Sequence, residues 1–329
     1  MRNRLVAVFS VAAVSALLLS GCAGAAESPD PTSSPSAGSC LINAQPGAAS
    51  DAVEVKGSGL DAAVTVPAGT EVPDIERTVV KEGDGEDVKP GDFVSARYKI
   101  VDATTNEVLE TSERGPDGAL PVLLSSNTGG QIYDSTQSPI FVAALECVPL
   151  GSEVVLALPG QEGQNPVVIY VQSIDELSTI ATGKDVDAPK GMPAVKLADD
   201  GAPTITIPGG DAPTETAVGV LKEGDGPEVS PGDLVTVQYL GVKWSDGSEF
   251  DSSWKRDAFP AQFPTTGVVA GFKAALEGQK VGSQVIVQMP PKDAYGEKSD
   301  SNTSDLAGEA LVFVVDIVGT TPLITTPAQ

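Results

Sequence analysis

A chain of 329 residues, 41% of them hydrophobic, is long enough for two globular domains with tails. Its formal net charge of −25 repels phosphate-rich partners, so no nucleic acid is expected, and it contains no histidine to act as a general base or a metal ligand. Aromatic residues make up only 5%, so a place where they gather carries weight.

The amino terminus reads as an export signal over residues 1–21. Arg2 and Arg4 precede an apolar run from Leu5 to Leu19 that is too short for a membrane span. It ends in Leu19-Ser20-Gly21-Cys22, which resembles a bacterial lipobox. That resemblance implies cleavage before Cys22, lipid on its sulfur, and attachment to the extracytoplasmic face of the cell membrane. Residues 22–39 are rich in Ala, Ser and Pro and read as a flexible tether beyond the lipidated cysteine. With Cys22 assigned to lipid, Cys40 and Cys147 remain, either as one disulfide in an oxidising compartment or as two unrelated buried thiols.

From Cys40 onward, short Val- and Ile-rich runs alternate with Gly, Pro, Asp and Asn clusters, the punctuation of strands and turns. The best helix candidate is Val269 to Glu277, with Gly278 as its C-cap. An internal repeat organises the rest. Val79-Val80-Lys81-Glu82-Gly83-Asp84-Gly85 matches Val220-Leu221-Lys222-Glu223-Gly224-Asp225-Gly226. At the same offset Pro90-Gly91-Asp92 matches Pro231-Gly232-Asp233, Tyr98 matches Tyr239, and Val64-Thr65-Val66-Pro67 matches Ile205-Thr206-Ile207-Pro208. At a shorter offset Ala144-Leu145-Glu146 matches Ala275-Leu276-Glu277, and Leu158-Pro159 matches Met289-Pro290; Ile169-Tyr170-Val171 is set against Val312-Phe313-Val314. The Gly-Asp-Gly runs lack Walker spacing and an EF-hand ligand series and are read as turns.

The copies differ where chemistry is expected. The second has Phe250-Asp251 where the first has Leu109-Glu110, and it carries an Asp293-Ala294-Tyr295-Gly296 loop missing from the first. In the second copy, Thr236 to Tyr239 should be a strand and Ser245-Asp246-Gly247-Ser248 a hairpin turn. Phe250 and Asp251 would then face opposite sides of the returning strand unless a bulge re-aims one of them. Alternation along Phe259-Pro260-Ala261-Gln262-Phe263 places Phe259 and Phe263 on one face.

The ordered set Tyr239…Gly241, Asp246-Gly247, Phe250-Asp251-Ser252-Ser253, Phe263, Val268-Val269…Gly271-Phe272, Gly278, Val281-Gly282, Ala294-Tyr295-Gly296 and Leu311-Val312-Phe313 resembles an FK506-binding-protein (FKBP) type peptidyl-prolyl cis–trans isomerase domain. The resemblance covers about Thr216 to Gly319, and the first copy resembles a degenerate member of the same family. It implies an α+β fold, two FKBP-like domains that are each a curved antiparallel β-sheet around one short helix. It also implies a proline pocket with Phe272 as floor, where the family usually has Trp. Tyr239, Phe250, Phe263, Val268, Val269 and Phe313 would be the walls, with Phe259 competing for the place of Phe263, and Asp251 and the Tyr295 hydroxyl the polar contacts. The family's Ile-Pro-Pro-like flap is replaced by Ser304-Asp305-Leu306-Ala307-Gly308, where only Leu306 could substitute. No cofactor or metal is implied.

The expected organisation is a signal (1–21), a tether (22–39), a degenerate domain (40–177), a linker (178–193), an isomerase domain (194–320, core 216–319) and a tail (321–329). The expected function is isomerisation of Xaa–Pro bonds in exported polypeptides by the second copy. The alternative is a non-catalytic chaperone or envelope scaffold that holds Pro-containing partners.

Overall fold

The computed structural model describes residues 40, 42, 44–125, 133–187, 189–256 and 258–324. The export signal, Cys22 and the tether lie outside the described residues, as does the end of the tail. Among the described residues no helix is long and apolar enough to cross a membrane.

The first repeat contains α1 (Ala48–Ala52), β1 (Glu54–Lys56), β2 (Ala63–Thr65), β3 (Glu76–Lys81), β4 (Phe93–Asp102), β5 (Val108–Thr111), β6 (Leu120–Leu123), α2 (Pro139–Leu145), β7 (Glu153–Leu158) and β8 (Val167–Glu176). Its main sheet runs β3-β7-β8-β4-β5, with β6 also paired to β4. After β9 (Lys184–Asp185), the second repeat contains β10 (Ala194–Leu197), β11 (Pro203–Thr206), β12 (Ala217–Glu223), β13 (Leu234–Lys243), β14 (Glu249–Ser252), β15 (Ala261–Pro264), α3 (Ala270–Leu276), β16 (Gln284–Met289) and β17 (Leu311–Thr321). Its sheet repeats the order as β12-β16-β17-β13-β14, with β15 on β13 and β9 added beyond β12. The strand pairs within both sheets are antiparallel.

Local sequence explains where the helices stop and start. Ser138 caps α2 through Oγ, which accepts from Ile140 N, and Pro139 occupies a first-turn position where no amide donor is needed. Gly278, at φ +81°, turns the chain away just past α3. One face of each sheet packs on its helix, and the opposite face is covered by the repeat's own hairpin. In the first copy Val53, Ala62 and Val66 cover Val155, Val168 and Tyr170; in the second Ile205 and half-buried Val195 and Ile207 cover Leu240, Ile286, Val312 and Val314. The long central strands β13 and β17 are therefore buried on both faces, which is why they read as continuous apolar runs.

The register corrects one match made from sequence. Tyr98 pairs with Val171 and Lys99 with Tyr170, while Tyr239 pairs with Val315 and Leu240 with Val314. Aligning the two tyrosines therefore sets Ile169, not Tyr170, opposite Phe313. A slip of one residue sends a side chain to the other face of a sheet. Tyr170 accordingly points away from the helix, donating its hydroxyl proton to Glu153 at 2.7 Å and accepting from Gly59 N at 3.0 Å.

Two attachments tie the ends of the first copy. Cys40 is bonded to Cys147, with Cα atoms 6.0 Å apart, just past α2. The connection after β8 is docked on the second sheet. β9 pairs with β12, and Asp316 accepts from Ala181 N at 2.9 Å and from Gln284 Nε2 at 2.7 Å. Burial pushes the Asp316 carboxyl above the ordinary range.

Candidate functional site

The inner face of β13 presents Val235, Val237, Tyr239 and Gly241 in alternation. Tyr239, Phe272 and Phe313 are each 4% exposed and share one cluster, with Phe250, Phe263, Val268, Val269, Ala294 and Leu306 half-buried around them. The rings meet edge to face: Phe272 lies 5.9 Å from Tyr239 and 5.0 Å from Phe313, and Phe263 lies 6.1 Å from Tyr239. Such pairs add about 0.5–1.5 kcal/mol each beyond burial. Phe313 arrives from β17 through the Gly241–Phe313 pairing, and Phe272 from α3.

A bulge resolves the orientation of Phe250 and Asp251. Gly241 pairs with Asp251 and Val242 with Glu249, so Phe250 is the extra residue on β14. Both side chains consequently reach the cluster. The Phe250 ring stands 5.4 Å from Phe313, and Asp251 Oδ2 accepts from Tyr239 Oη at 2.6 Å. Gly241 makes room for this: a Cβ there would meet Phe313 at 2.7 Å and Phe250 at 2.8 Å.

Phe263, in β15, joins the aromatic cluster. Phe259 lies elsewhere, packed with Phe93, Leu123, Leu177 and Val318 where the two copies meet. Pro260 separates the two phenylalanines, and the alternation that put them on one face begins only at Ala261.

Arg256 is the residue that sequence reasoning missed. Its Nη1 donates to Asp251 Oδ1 at 2.5 Å and its Nη2 to Tyr239 Oη at 2.7 Å, with the guanidinium 5.5 Å from the Tyr239 ring centre. Hydroxyl, carboxylate and guanidinium thus close a triangle on one edge of an apolar cup. Ser253 braces it by accepting from Tyr239 N at 2.8 Å. Burial, then the bond to Asp251, push the Tyr239 hydroxyl up to about 12. No periodicity links Asp251 to a residue five positions on around an irregular turn, so only the abundance of polar residues after Phe250 hinted at Arg256.

Tyr295 stands at the rim, 43% exposed, and burial followed by the Asp251 charge raises its hydroxyl. Asn302 Nδ2 donates to the Tyr295 and Glu297 carbonyls, and Gly308 N donates to Gly296 O, which folds the loop back. That fold brings Leu306 onto the cup from the flap side. The assembled site is apolar, with one polar edge and, at Tyr295, a phenol that makes no hydrogen bond among the described residues.

The first copy keeps some of these features and lacks others. Tyr98 donates to Glu110 at 2.5 Å, Arg114 Nη1 donates to Glu110 at 3.0 Å, and Ser112 holds Tyr98 N at 3.0 Å. The first copy thus keeps a related triangle of Tyr98, Glu110 and Arg114 in which Arg114 Nη2 turns to Asp134 instead of the tyrosine hydroxyl, and the change from Asp251 to Glu110 does not by itself separate the copies. The rings do: register sets Leu109 at the place of Phe250, Val122 at that of Phe263 and Ile169 at that of Phe313. Ser135 closes over the triangle, 3.0 Å from Tyr98 Oη and donating to Glu110 at 2.6 Å. Tyr98 is 1% exposed, and burial followed by the Glu110 charge raises its hydroxyl far above the ordinary phenol range.

Residues 226–318, all within the second copy, match the model of the FKBP-type peptidyl-prolyl cis–trans isomerases. A probable FK506-binding protein of Corynebacterium glutamicum is 39% identical over 116 residues, 35% of this chain and 96% of that protein. The FK506-binding protein of Streptomyces anulatus is 38% identical over 118 residues, 35% of this chain and 94% of that one. The peptidyl-prolyl cis–trans isomerase Mip of Coxiella burnetii is 38% identical over 99 residues, 30% of this chain and 42% of that protein. The chain belongs to the FKBP-type family, and its activity is peptidyl-prolyl cis–trans isomerisation.

Proposed function

We propose that isomerisation takes place in the cup of the second copy, on Xaa–Pro segments of exported polypeptides, and that the first copy is not catalytic. The observation that carries this reading is the five-ring cluster of Tyr239, Phe250, Phe263, Phe272 and Phe313, of which the first copy keeps aromatic residues only at Tyr98 and Phe141. Rotation about the peptide bond faces a barrier of about 18–20 kcal/mol set by amide resonance. The planar amide carries more charge on its carbonyl oxygen than the twisted one. A cup without water therefore destabilises the planar form relative to the twisted form, and a shape that fits the twisted form lowers the barrier further. In this reading Phe272 is the floor under the proline ring, and Tyr295 donates a hydrogen bond to the substrate carbonyl. Asp251 and Arg256 position Tyr239.

A protease-coupled isomerisation assay on the full chain tests the site. Phe272→Ala and Phe263→Ala are expected to remove most of kcat/KM, and unchanged turnover in both variants would refute it. The membrane part of the reading rests on the lipobox-like run ending at Cys22. It predicts a diacylated Cys22 in the mature protein, and an unmodified cysteine in the mass spectrum of the N-terminal peptide would sink it.

A further inference from the structure

One bond of the first copy's triangle leaves that copy. Arg114 Nε donates to the Pro322 carbonyl at 3.0 Å. The rest of the guanidinium is fixed: Nη1 bonds Glu110 at 3.0 Å, and Nη2 bonds the two Asp134 oxygens at 2.8 and 2.7 Å. Pro322 directly follows β17, the strand that closes the second sheet. In the second copy Arg256 Nη1 likewise bonds the carboxylate, of Asp251, but its Nη2 bonds the Tyr239 hydroxyl, and among the described residues its Nε holds no second segment.

The surroundings of that bond are built to receive β17. Phe93, at the head of β4, is buried with Leu123 and Val318, and half-buried Leu177 and Phe259 flank them. Phe93 comes so close to Gly319 that a Cβ there would lie 2.9 Å from its ring and 3.4 Å from Pro121. Thr320 Oγ1 donates to Asp233 at 2.8 Å, so the strand end is held within its own copy as it reaches the other.

We propose that the first copy is a receptor for the closing strand of the second. Arg114, aimed by Glu110 and Asp134, clamps the carbonyl of the Thr321-Pro322 segment, and Phe93 seats on Gly319. The two copies then move as one body, and the isomerase cup keeps a fixed attitude to the copy that carries Cys40 and Cys147. This accounts for a triangle retained beneath Ser135 in a copy that keeps only Tyr98 and Phe141 of the rings. It also accounts for arginine at position 114, because a planar fork satisfies three directions at once and an ammonium on a flexible stem does not.

Both tryptophans, Trp244 and Trp254, are in the second copy, so tryptophan fluorescence follows that copy alone while far-ultraviolet circular dichroism follows both. Urea unfolding of the full chain is expected to give coincident midpoints by the two probes. Val154→Ala, which weakens the first copy's core away from the seam, should lower both midpoints together. Arg114→Lys and Gly319→Val should separate them by about 0.5 M urea, the scale on which loss of a small coupling shows. Coincident midpoints in both variants, or separate midpoints in the unaltered chain, would overturn the proposal. The test reads no activity, so it stands or falls independently of the assignment of the cup.

Discussion

The Tyr239 hydroxyl lies 2.6 Å from Asp251 Oδ2, and Arg256 bonds both groups, so a phenol at the edge of an apolar cup is fixed in direction without a covalent link. The carboxylate and guanidinium side chains are 41% and 51% exposed, and exposed ion pairs stabilise a fold by only about 0–1 kcal/mol. The triangle is therefore better suited to aiming Tyr239 than to holding the domain together. Asp251→Ala should lower kcat/KM for a Leu-Pro peptide about tenfold, the equivalent of one well-made hydrogen bond. The midpoint of thermal unfolding should fall by no more than about 3 °C. Calorimetry beside the coupled assay separates the two effects.

Gly241 offers a test of packing in the cup. Gly241→Ala places a methyl group within 2.7–2.8 Å of the Phe313 and Phe250 rings, which must move. Overpacking of this kind costs about 1–3 kcal/mol. Lower stability together with reduced turnover is expected in denaturant titrations and the coupled assay, and an unchanged midpoint would mean that the bulge at Phe250 absorbs the methyl freely.

The first copy should answer differently to the matching change. Tyr98 is fully buried and donates to half-buried Glu110, so Tyr98→Phe removes a hydrogen bond to a charged group at a cost of about 1.5–3 kcal/mol. Isomerase turnover of a short peptide should stay within about twofold, since the altered residue lies outside the second copy's ring cluster. A large loss of turnover would place catalysis in the first copy.

Reduction of the Cys40–Cys147 bond should destabilise the first copy. The bond joins residues 107 positions apart, and opening so long a loop releases chain entropy worth about 2–4 kcal/mol in typical cases. Urea titration with and without reductant reads the difference. Peptide isomerisation should persist at urea concentrations where both forms remain folded.

The buried phenols fix the direction of the alkaline response. Tyr239 titrates at about 12 in the folded chain against 10.0 when unfolded, so the unfolded chain loses this proton first. Its contribution is complete below about pH 10 and disappears as pH rises towards about 12, and Tyr98 and Tyr170 shift in the same direction. Stability should consequently fall between about pH 10 and 12 while phenolate absorbance lags that of the unfolded chain. Two buried rings replaced by Phe should flatten the slope.

The sequence by itself determined the repeat, the strand-and-turn texture, the helix near Val269 to Glu277 and the membership of Tyr239, Phe272 and Phe313 in one unit. Those signals are local, carried by periodicity, turn chemistry and fixed order along the chain. Tertiary structure decided the features that depend on register and on turns. It set Ile169 rather than Tyr170 at the place of Phe313, because face assignment in a sheet reverses with a one-residue shift. It chose Phe263 over Phe259 through Pro260 and the start of β15, and brought Arg256 back to Asp251 around a turn with no period. It also placed Arg114 against Pro322, a contact between residues 208 positions apart that no local pattern encodes.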